Sequence, residues 1–201
     1  MTWPPRVLGL ALVWALLATV GPALAFDPDE AYQKGTRILS LEAGGGAQHN
    51  LDGQDVQTGL ELWYAGARAS LLPFQPLGNG LLHGALEIGL EPVYQRYTEP
   101  VTAFYAGLGL VGRYHFLSFG RVVPYVEIAG AAGATDLRVS EIRSEFAFWL
   151  AGGLGASIFI TDHTAIYAGY RLVHMSNGNT ETPNRGFEAH TGLAGVSFFF
   201  K

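Results

Sequence analysis

From Gly35 onward the chain alternates apolar and polar residues in segments of about ten residues or more, separated by clusters of Gly, Pro, Asn and Asp. Eight such segments stand out, near Gly35 to Ala43, Gln57 to Leu71, Gly80 to Arg96, Val101 to Phe116, Arg121 to Ala131, Glu145 to Ile160, Thr164 to Ser176 and Phe187 to Phe200. The third, "GLLHGALEIGLEPVYQR", is the clearest: Leu82, Leu86, Ile88 and Leu90 point one way, and His83, Glu87, Glu91 and Gln95 the other. The fourth sets Phe104, Leu108, Leu110, Tyr114 and Phe116 against Tyr105, Gly107, Gly109, Arg113 and His115; the fifth sets Val122, Val126 and Ile128 against Tyr125 and Glu127. An even strand count allows antiparallel closure, and eight is the smallest common membrane barrel.

Alternation leaves open which face is outside, because a soluble lipocalin-like barrel turns its apolar face inward. The polar faces here carry Glu42, Glu61, Glu87, Glu91, Arg113, Glu127 and Arg171, charges of both signs able to pair within a narrow lumen. Apolar residues then meet lipid, with Tyr64, Tyr114, Phe116, Phe146, Phe148, Phe198 and Phe200 available for interfacial belts. Beyond Val20 no apolar run approaches the roughly 20 residues of a transmembrane helix. The expected fold is all-β: an eight-stranded antiparallel transmembrane β-barrel of the bacterial outer membrane. Links after the second, fourth and sixth segments are mostly short, as periplasmic turns are, and those after the first, fifth and seventh are longer and more polar. The short "YTEP" after the third does not bear on orientation.

The N-terminus adds an address. One cation, Arg6, precedes an apolar run from Val7 to Val20, then Gly21-Pro22 and the small-x-small site Ala23-Leu24-Ala25. Residues 1–25 read as a secretory signal peptide and 26–201 as one barrel domain of about 175 residues. Removing Arg6 from 12 basic residues leaves 17 acidic ones in excess by 6. A net charge of that sign argues against nucleic acid as a partner. The exported chain has no cysteine, so its stability comes from closure rather than disulfides.

Candidate chemistry is concentrated in "HMSNGNTETPNRGFE", His174 to Glu188. On a strand, residues i and i+2 share a face roughly 6.6 Å apart. His174 and Ser176 therefore project together, on the face of Ile166, Ala168, Tyr170 and Leu172. Glu188 opens the next strand on the face of Ala194, Val196, Phe198 and Phe200, so a hairpin brings all three to one lipid-facing patch. A serine nucleophile needs a base in reach, and the base needs an acid to hold its tautomer. Asn177, Gly178, Asn179 and Asn184 surround the serine with donors able to hold an oxyanion. Asn, Gly, Thr and Pro are also ordinary loop residues; polar groups on a lipid-facing wall have no structural reason to be there.

The pattern His-x-Ser-Asn, then Pro-Asn-x-Gly, then Glu resembles the C-terminal signature of the lipid A 3-O-deacylases of the PagL type, and "YAGYRLV" and "GVSFFF" resemble that family's last two strands. The specific similarity runs from about Ile166 to the C-terminus. The resemblance implies a Ser-His-Glu serine esterase on the outside of the barrel that removes the 3-position ester-linked acyl chain of lipid A, within lipopolysaccharide. Ser176 would be nucleophile, His174 general base and acid, Glu188 the orienting carboxylate, and Asn184 a side-chain oxyanion donor. Asn179 stands where the family often has a Gly whose N–H is the other donor, and Asn supplies the same N–H. Lipid A and its neighbouring outer-membrane lipids are the implied partners; a homodimer is left open, and no cofactor is called for.

Other motifs carry less. "GLGLVG", Gly107 to Gly112, matches a dinucleotide fingerprint but lies within a strand with no helix to follow. There is no G-x-S-x-G elbow and no H-E-x-x-H. Glu87 and Glu91 are too far apart along one strand for a catalytic pair and suit lumenal ion pairs. His83, His115 and His190 lack metal-ligand spacing, so no metal site is expected. Against the deacylase stand a non-enzymatic barrel, structural or adhesive, and a barrel that cleaves other outer-leaflet lipids such as phospholipids.

Overall fold

The computed structural model describes residues 26–51 and 57–201, and the expected signal peptide, 1–25, lies outside the described residues. Eight antiparallel strands close into a barrel in chain order: β1 (Arg37–Gln48), β2 (Glu61–Leu71), β3 (Gly84–Glu99), β4 (Ala103–Phe116), β5 (Val122–Thr135), β6 (Phe146–Phe159), β7 (Thr164–Ser176) and β8 (Phe187–Phe200). The seam between β1 and β8 runs from Arg37 opposite Phe200 to Gln48 opposite Ala189. No helix among the described residues is long and apolar enough to cross a membrane; strands do the crossing.

The apolar face is outward. Leu90, Leu108, Leu110, Ile128, Leu150 and Leu154 are all exposed, Ile128 at 73%. The lumen is filled instead by three arginines, Arg68, Arg113 and Arg171, laced to Glu42, Glu87, Glu91 and Glu127. Arg171 reaches Glu127 at 2.6 Å, Glu42 at 2.5 Å and Glu91 at 3.0 Å, and Arg68 reaches Glu87 at 2.9 Å. His115 Nε2 lies 2.7 Å from Glu87 and Arg113 stacks 3.9 Å over the Tyr125 ring. Charges so buried persist only when paired and hydrogen-bonded, and the near balance of signs meets that condition.

Strand β2 corrects two expectations. Glu61 is exposed at the rim rather than lumenal, and Tyr64 is buried inside rather than in an outer belt. The even positions of β2 face inward, because Arg68 is needed among the lumenal carboxylates while Trp63 meets lipid. Strand β3 begins at Gly84, later than the alternation suggests, because Gly80–Leu82 forms a single 3-10 turn and Leu77 bridges to Gly84.

Both mouths are closed by side chains. At the end that holds Phe26 and Lys201, a short helix α1 (Pro28–Ala31), capped by Asp27, leads into Tyr32, which meets His115, Phe159 and Phe199. At the other end Leu60, Leu137, Ile142, Trp149, Met175 and Phe187 pack together. That end holds residues 49–51 and 57–60 and the links 100–102, 136–145 and 177–186, and the rule of short periplasmic turns makes it the outer rim.

Candidate active site

The register of the last hairpin sets the site. His174 on β7 lies directly opposite Glu188 on β8, both on the outward face. Side chains of a directly opposed antiparallel pair stand close enough to bond, and His174 Nδ1 lies 2.7 Å from Glu188 Oε1. A carboxylate only accepts, so Nδ1 carries the proton and Nε2 is left as the basic edge. His174 is 40% exposed and Glu188 19%, which leaves the pair reachable from the lipid side.

Ser176 projects from the same face one pleat further toward the rim, opposite Phe148 of β6. No hydrogen bond joins its hydroxyl to the imidazole among the described residues. Two residues along a strand exceed hydrogen-bond reach between Cα positions, and catalytic contacts of unliganded sites often tighten only with substrate bound. Gly186, with φ +69°, lies against the ring: a Cβ there would sit 2.9 Å from His174 Cε1. The chain turns close to the imidazole because that residue has no side chain.

Between the strands, three asparagines form a closed cycle. The Asn177 N–H donates to Asn184 Oδ1 at 2.7 Å, Asn184 Nδ2 donates to Asn179 Oδ1 at 3.0 Å, and the Asn179 N–H donates to Asn177 Oδ1 at 3.0 Å. Asn177 is wholly buried, and its amide spans Glu181 O and Pro183 O, so its side chain braces the loop from within. Asn179 has φ +63°, a left-handed conformation that Asn tolerates nearly as well as Gly. The second amide hydrogen of Asn184 and the N–H of Gly178 have no acceptor among the described residues, and both belong to the turn beside Ser176.

A family model for lipid A 3-O-deacylase (PagL) matches residues 63–197, a span that takes in His174, Ser176, Asn184 and Glu188. The chain belongs to the PagL family. PagL proteins are lipid A deacylases, ester hydrolases of the bacterial outer membrane, and that membrane is where this barrel resides. The solved structure of the outer membrane enzyme PagL is 18% identical, with a TM-score of 0.60 over 78% of this chain and 97% of its own. Neisserial surface protein A is 17% identical, with a TM-score of 0.59 over 83% and 100%. At such identities these likenesses speak for the barrel alone. A search of curated proteins finds no match.

Residues the sequence did not flag come from the neighbouring loops. His49, Asn50 and Leu51, at the exit of β1, contact Glu188. Glu141, in the link from β5 to β6, accepts at its peptide oxygen from the N–H groups of Arg185 and Gly186. Its buried carboxylate accepts from Gln48 Nε2 at 2.8 Å, Thr58 N at 2.7 Å, Thr58 Oγ1 at 2.6 Å and Ser140 Oγ at 2.8 Å. Barrel closure was the available signal: eight strands in order bring the exit of β1 beside the start of β8.

Proposed function

We propose that this PagL-family chain is a serine esterase that hydrolyses the acyl chain ester-linked at position 3 of lipid A. The observation that carries the reading is the 2.7 Å His174–Glu188 pair on the lipid-facing wall, with Ser176 on the same face. In this mechanism His174 Nε2 takes the Ser176 proton as Oγ attacks the ester carbonyl. Glu188 holds the tautomer and stabilises the imidazolium. The second Asn184 amide hydrogen and the Gly178 N–H receive the oxyanion, whereas the Asn179 N–H, the donor expected from the sequence, is taken up by Asn177 Oδ1. The imidazolium then returns the proton to the leaving sugar oxygen, and water entering at the rim hydrolyses the acyl-enzyme.

The wall suits such a substrate. Phe146, Phe148 and Leu150 on β6 are all more than 40% exposed beside the pair, so acyl chains stay in hydrocarbon while the ester lies at the headgroup level. The test is incubation of refolded wild type and Ser176→Ala with lipid A in detergent, followed by mass spectrometry. Loss of one 3-hydroxyacyl chain is expected with wild type alone, a drop of about 10⁴-fold or more in the variant. Equal activity in both would remove Ser176 as nucleophile, and release of a different chain would remove the 3-position.

A further inference from the structure

We infer that Asn50, at the exit of β1, is a positioning residue for the carboxylate of the triad; the inference rests on the esterase reading of His174, Ser176 and Glu188. Glu188 has four polar groups. One, Oε1, meets His174. The other three are held by the segment 49–51: its N–H donates to Asn50 Oδ1 at 3.1 Å, its peptide oxygen accepts from His49 N at 2.9 Å, and Oε2 accepts from Leu51 N at 3.4 Å. Of these partners only Asn50 acts through its side chain, so only there does residue identity decide the contact.

The Asn50 oxygen is itself held in place. It also accepts from Gln48 Nε2 at 3.3 Å, and the Asn50 N–H donates to Gln57 Oε1 at 3.3 Å. Gln48 is fixed in turn by Glu141 and by the N–H groups of Gly59 and Leu60, at 2.9 and 3.1 Å. Asn50 is buried at 9% exposure, and its Nδ2 has no acceptor among the described residues. A buried donor left without a partner lowers stability. Packing therefore does not account for an amide at this position; its oxygen toward Glu188 does. Groups that orient a catalytic ligand from behind matter because small misplacements are amplified in the rate.

The test compares Asn50→Ala, which deletes the oxygen, with Asn50→Asp, which keeps one, in the full barrel, with the heat-dependent gel shift reporting the fold. Asn50→Ala should lower kcat on lipid A by about 10- to 100-fold with KM within about twofold, and Asn50→Asp should recover most of the loss. The downfield Nδ1–H resonance of His174, assigned by its loss in His174→Asn, gives a readout that needs no substrate. It should move in Asn50→Ala toward its position in Glu188→Gln and remain in place in Asn50→Asp. A folded Asn50→Ala barrel with an unmoved resonance overturns the inference, as does one with wild-type kcat. If Ser176→Ala proves fully active, the esterase reading fails, while the resonance still decides whether Asn50 orients the pair.

Discussion

At Gly186 an added methyl group would press on the edge of the His174 ring from a backbone already in the left-handed region. Gly186→Ala should therefore turn the imidazole away from Ser176 and lower kcat by up to about 10²-fold, leaving KM and the gel shift close to wild type. Steady-state kinetics on lipid A decide it, and an unchanged kcat would show that the ring has room to spare. That His174, Ser176 and Glu188 share the outward face was legible in the sequence, because period-two parity marks polar groups on an apolar face. Asn50 was not: its contact with Glu188 spans 138 positions and exists only once β1 meets β8. Tyr64 and Glu61 were assigned to the wrong faces because β2 mixes small and apolar residues on both, and its one informative charge is Arg68.

Among the elements, the 136–145 link ties the rim together through Glu141. Burial pushes the Glu141 pKa up, but hydrogen bonds from Thr58, Gln48 and Ser140 outweigh it and hold the carboxyl below its ordinary value. A depressed folded pKa means that the contribution is present above the ordinary carboxylate pKa and fades as pH falls through the folded one. Through this carboxylate the 136–145 link should thus be joined to Gln48 and Thr58 at neutral pH and come apart from them in acid. Amide exchange at Thr58 should accelerate on acidification beyond the intrinsic pH dependence, and Glu141→Gln should show that faster exchange already at neutral pH. Identical protection in the variant would sink the assignment. The bounds of β7 and β8 were readable to the residue, since Gly and Asn turn residues flank strong alternation. The start of β3 was not, because Leu81 and Leu82 extend the apolar pattern into what is a turn, where Tyr114 Oη donates to Leu82 O.

The barrel as a whole is organised around its charged interior, with Arg171 in contact with three carboxylates. Arg171→Met should leave those carboxylates short of a cation and cost about 3–5 kcal/mol. The urea midpoint of the refolded variant in micelles measures this, and a midpoint equal to wild type would contradict it. Closure in order was legible from the even count of alternating segments and from the mixed charges on their polar faces. The plugging of both mouths was not, because Tyr32 and Ile142 belong to no strand. With side chains packed into both mouths and ion pairs across the lumen, the proposed site is open to the membrane side of the wall rather than to the barrel interior. On the proposed mechanism substrate would arrive sideways, and the protein would compete for a strip of wall two strands wide in a crowded two-dimensional fluid. Any neighbour that settles against β7 and β8 would then work as an inhibitor without touching a reacting atom, and turnover would become a measure of how freely the surrounding membrane flows.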